Sequence, residues 1–184
     1  MYKIKLYGLG GQGVVTAANI LSHAVSINED KYAKTVPAYG HERRGAPVFS
    51  DVMMDNIPIL LNSFVYEPDI VVVFDASVMD KGIDIGKGIH KNTRLVINTD
   101  QESVLNRVKK EYTFDEIYYL NATSIAVHHI GRNIPNGPML GAMVNTGIVN
   151  IDSIKKSLME FFKSNAGEKN VQAAEEAFKK TGKL

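Results

Sequence analysis

The run Ile70-Val71-Val72-Val73-Phe74 constrains this chain more than any other segment. Five consecutive apolar residues, four of them β-branched, leave no polar face for water and predict a strand buried on both sides. Sheets buried on both sides are mostly parallel and carry helices on each face. The rest of the chain agrees. Residues 2–7 predict a strand stopping at Gly8, and Val14–Ile27 places Val14, Ala17, Ala18, Leu21, Ala24 and Val25 at helical spacing. Lys31–Val36 predicts a second strand, ended by Pro37. Pro47–Met54 and Ile57–Leu61 predict two strands of a hairpin turning at Asp55-Asn56. Thr93–Ile97 and Ile117–Leu120 are further buried-strand candidates, each followed by short polar residues. Ser124–Ile130 and Leu140–Ile148 are modest helix candidates. Asp152–Lys163 predicts an amphipathic helix with Ile154, Leu158, Phe161 and Phe162 inward, and Glu168–Thr181 another, stopped by Gly182. The expected fold class is α/β, an open, mostly parallel Rossmann-like sheet with helices on both faces. In the common strand order the first strand lies beside Ile70–Phe74, so the turn after Gly8 and Asp75 face one crevice.

Composition narrows the chemistry. The 184 residues contain no repeat or linker and predict one domain, 1–184. Zero cysteines exclude disulfides, thiolate zinc, a cysteine nucleophile and a cysteine-ligated iron–sulfur cluster on this chain itself. A net charge of +1 points to neither nucleic acid nor an anionic membrane. The longest apolar run, near Asp69–Phe74, is far short of the roughly 18 residues of a membrane span. Met1-Tyr2-Lys3-Ile4-Lys5-Leu6 leads straight into a strand without a signal-peptide core, so the expected location is cytoplasmic.

Two segments could carry chemistry. Gly8-Leu9-Gly10-Gly11-Gln12-Gly13 has the glycine spacing of a dinucleotide turn, where backbone N–H groups and a helix N-terminus approach a phosphate. The ribose-binding acid that should end the second strand is missing, since that strand ends Thr35-Val36-Pro37. Nicotinamide and flavin dinucleotides are therefore disfavoured. A tight turn with no ligand stays open, and without Lys-Ser/Thr after the glycines this is not a triphosphate loop. The second segment, Pro37–Pro47, gathers Tyr39, His41, Glu42, Arg43 and Arg44 in a frame of glycine and proline. Arginine forks suit bidentate recognition of phosphate or carboxylate. The alternatives are a solvated charged loop, an anionic-cofactor loop, or a contact to another subunit. His128 and His129 are neighbours whose side chains diverge by about 100° on a helix, unlike an i, i+4 metal pair. His23, His41 and His90 are scattered, and no metal site and no catalytic set are expected on this chain.

The segments Gly8–Ala18 and Tyr39–Val48 together resemble the gamma subunit, or gamma domain, of the 2-oxoacid:ferredoxin oxidoreductases, the pyruvate synthase family. The resemblance runs the length of the chain, through Ile57-Pro58-Ile59, Pro68-Asp69, Asn133 ahead of Met139-Leu140-Gly141-Ala142, and Asn170. It implies an oxidoreductase complex that cleaves a 2-oxoacid with thiamine diphosphate and coenzyme A, yields acyl-CoA and carbon dioxide, and passes two electrons through iron–sulfur clusters to ferredoxin. With no cysteine and no Gly-Asp-Gly…Asn-Asn signature here, thiamine diphosphate and the clusters are implied on partner alpha, beta and ferredoxin-like delta subunits.

This chain would then be a non-catalytic gamma subunit, inactive alone, with coenzyme A as its candidate ligand. The candidate cofactor-binding residues are Gly8, Gly10, Gly11, Gln12, Gly13, Tyr39, Glu42, Arg43 and Arg44. Glu42-Arg43-Arg44-Gly45-Ala46-Pro47 resembles pyruvate or branched-chain members more than the 2-oxoglutarate type, so pyruvate is the expected substrate, with a branched-chain or aryl-pyruvate acid left open. The competing readings are a free-standing nucleotide- or anion-binding regulatory module and a small independent reductase. Self-association of the isolated chain is expected, through apolar surface for which Met53, Met54, Tyr118 and Tyr119 are candidates.

Overall fold

In the computed structural model, which describes residues 1–38 and 45–184, one seven-stranded sheet organises the chain. Its strands are β1 (Tyr2–Leu9), β2 (Tyr32–Pro37), β3 (Pro47–Asp55), β4 (Ile70–Val73), β5 (Arg94–Asn98), β6 (Ile117–Leu120) and β7 (Gly182–Lys183), in the order β2-β3-β1-β4-β5-β6-β7. β1, β4, β5 and β6 run parallel, with Leu6 opposite Val72, Val72 opposite Val96, and Val96 opposite Tyr118. β3 is antiparallel to both β1 and β2, and β7 is antiparallel to β6. The fold is thus α/β with a parallel centre and antiparallel margins. β4 is fully buried, as its unbroken apolar run requires.

The helices are α1 (Val14–Asn28), α2 (Glu102–Glu111), α3 (Ala122–Ile130), α4 (Asn136–Met143), α5 (Ile151–Phe162) and α6 (Ser164–Lys180). Strand alternation divides the core. Ile4, Leu6, Val52, Met54, Ile70, Val72 and Val96 face α1 and α3–α6, while Tyr7, Val71, Val73, Leu95 and Ile97 face α2 and the turns after β4. The coverage is lopsided. On the second face α2 covers only the β4–β6 half, and the β1–β3 half is crossed by the extended segment between β3 and β4.

That segment corrects one expectation. Ile57–Leu61 is not a strand, because both edges of β3 are already paired and no hairpin partner has an edge to join. Ile57, Leu60 and Leu61 are exposed instead. Met53, Met54 and Tyr118, expected at the surface, are buried, since Met54 and Tyr118 face the helices and Met53 lies beside the segment between β3 and β4. Phe161, expected inward, is 42% exposed and meets the His23 ring edge-on at 5.7 Å. All eight residues of α4 are buried. It lies so close to α6 that a Cβ on Gly141 would fall 2.1 Å from the Ala174 carbonyl oxygen, and one on Gly137 would fall 2.7 Å from Asn170 Oδ1.

Candidate functional site

The turn after β1 is built by its own residues. Gln12 Oε1 accepts from the Leu9 N–H at 2.8 Å, while Gln12 Nε2 donates to Asp75 Oδ2 at 2.7 Å. Asp75 Oδ1 accepts from the Ser77 N–H. The expected meeting of the glycine turn with Asp75 therefore occurs, through Gln12. This bridge spans the turns that follow β1 and β4, and the glycine turn opens instead on the β3 side. There Gly10 N–H donates to Ala46 O at 2.8 Å and Gly45 N–H donates to Gly10 O at 3.1 Å. Gly45 and Ala46, near the end of the second segment, thus lie directly on the glycine turn.

The result is a cleft of about 580 Å³ bordered by Gly10, Gly11, Gly13, the first turn of α1, Ala46–Val48, Ile134, Asn136 and Phe162. Gly13 caps α1 with φ 76°, a left-handed conformation that a side chain would strain, and a Cβ there would fall 2.9 Å from Asn136 Nδ2. No side chain among the described residues caps α1, and no acidic residue stands in its first turn. The N–H groups of Val14, Val15 and Thr16 have no intrahelical acceptor and border the cleft, where the helix dipole favours an anion. Asn136 is a site residue that the sequence reading missed. It is 3% exposed, its Oδ1 accepts from the Gly137 N–H at 2.9 Å, and its Nδ2 donates to no group among the described residues. Its only sequence signal was an asparagine just after a proline at the start of an apolar helix. Of the predicted residues, Gly10, Gly11 and Gly13 line the cleft, Gly8 lies in β1 opposite Val48, and Gln12 braces the turn. Tyr39, Glu42, Arg43 and Arg44 lie outside the described residues.

Elsewhere, His128 and His129 do not diverge as the helical angle suggested. Their rings meet edge-on at 4.8 Å, and His129 Nε2 is 2.5 Å from Glu176 Oε2. Lys180 Nζ lies 2.7 Å from the other oxygen of Glu176. Hydrogen bonds from Lys180 and His129 hold the Glu176 carboxyl down to about 2. No helix among the described residues is long and apolar enough to cross a membrane.

Fold and cleft together define a Rossmann-like α/β protein with an anion-favouring helix N-terminus beside its first strand. The profile of the pyruvate ferredoxin/flavodoxin oxidoreductases matches residues 3–180. The pyruvate/ketoisovalerate oxidoreductases common subunit gamma of Thermococcus kodakarensis is 42% identical over 98% of this chain and 97% of its own length. The pyruvate synthase subunit PorC of Methanocaldococcus jannaschii is 41% identical over 97% of this chain and 96% of its own. The crystal structure of the pyruvate oxidoreductase subunit PORC of Thermotoga maritima superposes with a TM-score of 0.85 at 31% identity, covering 99% of this chain and 97% of that one. The chain belongs to the pyruvate ferredoxin/flavodoxin oxidoreductase family, as one of its gamma-type subunits.

Proposed function

We propose that this chain is the gamma subunit of a pyruvate:ferredoxin oxidoreductase and that its cleft receives phosphate of coenzyme A. The observation that carries the reading is the uncapped N-terminus of α1, opening beside Gly45 and Ala46, which hydrogen-bond to Gly10. Those bonds join the base of the arginine-bearing segment to the glycine turn. First-turn N–H groups stabilise an anion by roughly 0.3–1 kcal/mol at exposed sites, and charge-assisted bonds from Arg43 and Arg44 would add roughly 1.5–3 kcal/mol each. Gly11 and Gly13 allow close backbone approach, and the Asn136 amide supplies a neutral donor on the opposite wall. The chain binds and orients; it performs no redox step. Thiamine diphosphate and the clusters belong, on this reading, to alpha, beta and ferredoxin-like delta partners, which deliver electrons to ferredoxin. Pyruvate is favoured by the resemblance of Glu42–Pro47 and by relatives named for pyruvate and ketoisovalerate. The test is Arg43→Ala and Arg44→Ala in the assembled enzyme. Coenzyme A binding predicts a KM for coenzyme A raised about tenfold or more with assembly intact. Loss of assembly would place the arginines at an interface, and unchanged coenzyme A dependence in both variants would refute the anion site.

A further inference from the structure

The segment between β3 and β4 is an uncharged strap laid over a helix-free half-sheet. From Asn56 to Tyr66 it carries no charged residue, while Asp55 and Glu67 bound it. Ile57 is 65% exposed, Leu60 91%, Leu61 52%, Phe64 40% and Tyr66 71%. Five large apolar side chains in ten residues face water, and the backbone near the end of the strap is anchored at Val65. Val65 N–H donates to Asp51 Oδ2 at 2.7 Å, and Lys5 Nζ donates to Val65 O at 2.8 Å and to Asp51 Oδ1 at 2.9 Å. Phe64 packs edge-on against Phe49 at 5.9 Å between ring centres. Beside it Leu61, Phe64, Tyr66 and Met53 line a pit of about 190 Å³. From Phe64 to Tyr66 the strap is held in place beside the pit, so little loop freedom is left to lose there on binding.

We infer that this strap is the docking surface for another subunit of the same oxidoreductase, one presenting an uncharged apolar face with a cationic rim opposite Glu67. The inference rests on the subunit reading above. Area selects this occupant over a second copy of the chain. At roughly 150–200 Å² per large side chain, the five exposed fractions amount to roughly 500–650 Å². That is most of the roughly 800 Å² which one side of a standard heteromeric interface buries, and about half of what an obligate dimer needs per side.

The test is co-expression with the thiamine-binding and cluster-bearing chains of its own oxidoreductase, read by size-exclusion chromatography and native mass spectrometry. Leu60→Asp and Tyr66→Asp alter side chains that are largely in solvent, and their melting temperatures report folding. Ile27→Asp, at a residue 66% exposed on α1, is the control. The expected result is that wild type and Ile27→Asp enter the complex, while each strap variant, folded as wild type, binds at least tenfold more weakly. Equal assembly of strap variants and wild type overturns the inference and leaves the subunit reading standing, as does an Ile27→Asp defect of the same size. A wild-type homodimer dissolved by the strap variants overturns it in favour of a second copy. A wild-type chain that joins no complex refutes the subunit reading itself, and the inference falls with it.

Discussion

Replacing Lys5 by methionine should expose how the strap is held. The Asp51 side chain is fully buried and Lys5 is its cationic partner, with Nζ 2.9 and 3.0 Å from the two carboxylate oxygens. Methionine keeps the aliphatic stem but removes the charge, leaving a buried carboxylate supported only by the Val65 N–H. Breaking a buried pair costs about 3–5 kcal/mol, and the 13% exposure of Lys5 places this case near 3 kcal/mol. For a chain of this size that is a fall in melting temperature of about 6–12 °C. Burial already raises the Asp51 carboxyl above its ordinary value, against the hydrogen bonds from Lys5 and Val65. A raised folded pKa means that folding favours the neutral acid more than the unfolded chain does. Its stability is fully present below the unfolded pKa and is lost as pH rises through the folded one. Without Lys5 the folded pKa rises further, so the penalty should be largest at neutral pH and shrink in acid. Adding Asp51→Asn should recover about half the loss or more, since no charge is then stranded. Urea titrations at several pH values measure these quantities, and amide exchange at Val65 should accelerate in Lys5→Met. A loss under about 1 kcal/mol that is flat with pH, or a double variant as weak as the summed singles, would refute this account of the pair.

Two further outcomes are expected. Gly13→Ala forces a side chain into φ 76° against Asn136 Nδ2 and should destabilise by about 1–3 kcal/mol in thermal melts, while weakening coenzyme A binding in the assembled enzyme. Glu176→Gln should flatten part of the acid limb of stability. The depressed folded pKa of Glu176 stabilises above its unfolded value of 4.5 and is lost as pH falls from there through about 2, an effect under about 1 kcal/mol for a surface network, read by urea melts at pH 7 and pH 3.

Local signals in the sequence reached as far as local physics decides structure. The glycine turn, the run at Ile70–Phe74 and the pairing of β1 with β4 were legible because glycine spacing and an unbroken apolar run each admit few conformations. Ile57–Leu61 misled because its β-branched pattern is that of a strand, while strandhood needs a free sheet edge and β3 had none. The helix Glu102–Glu111 gave little warning: it buries only Leu105 and Val108, and most of its residues are polar. The resemblance of the two motif segments to the gamma chains carried further than composition or periodicity and is matched by the family comparison. Asn136 was invisible for another reason. Its place on the cleft wall follows from α4 packing against α1 and α6, a tertiary outcome that no window of sequence contains.

The contact between α4 and α6 has a consequence for what this cleft can become. Side chains at most helix crossings act as spacers that mutation can lengthen or trim, letting one helix drift while the fold survives. Between Gly141 and Ala174 no such spacer exists, for the backbones themselves touch. Asn136 and Gly137, at the cleft end of that seam, therefore inherit their position from two rigid rods in direct abutment. A changed ligand preference cannot be reached gradually by shifting this wall, because the first methyl group added at Gly141 would pry α6 off as a body. Change in the shape of the cleft is channelled to the opposite rim, Ala46–Val48, while the wall that carries Asn136 stays unchanged.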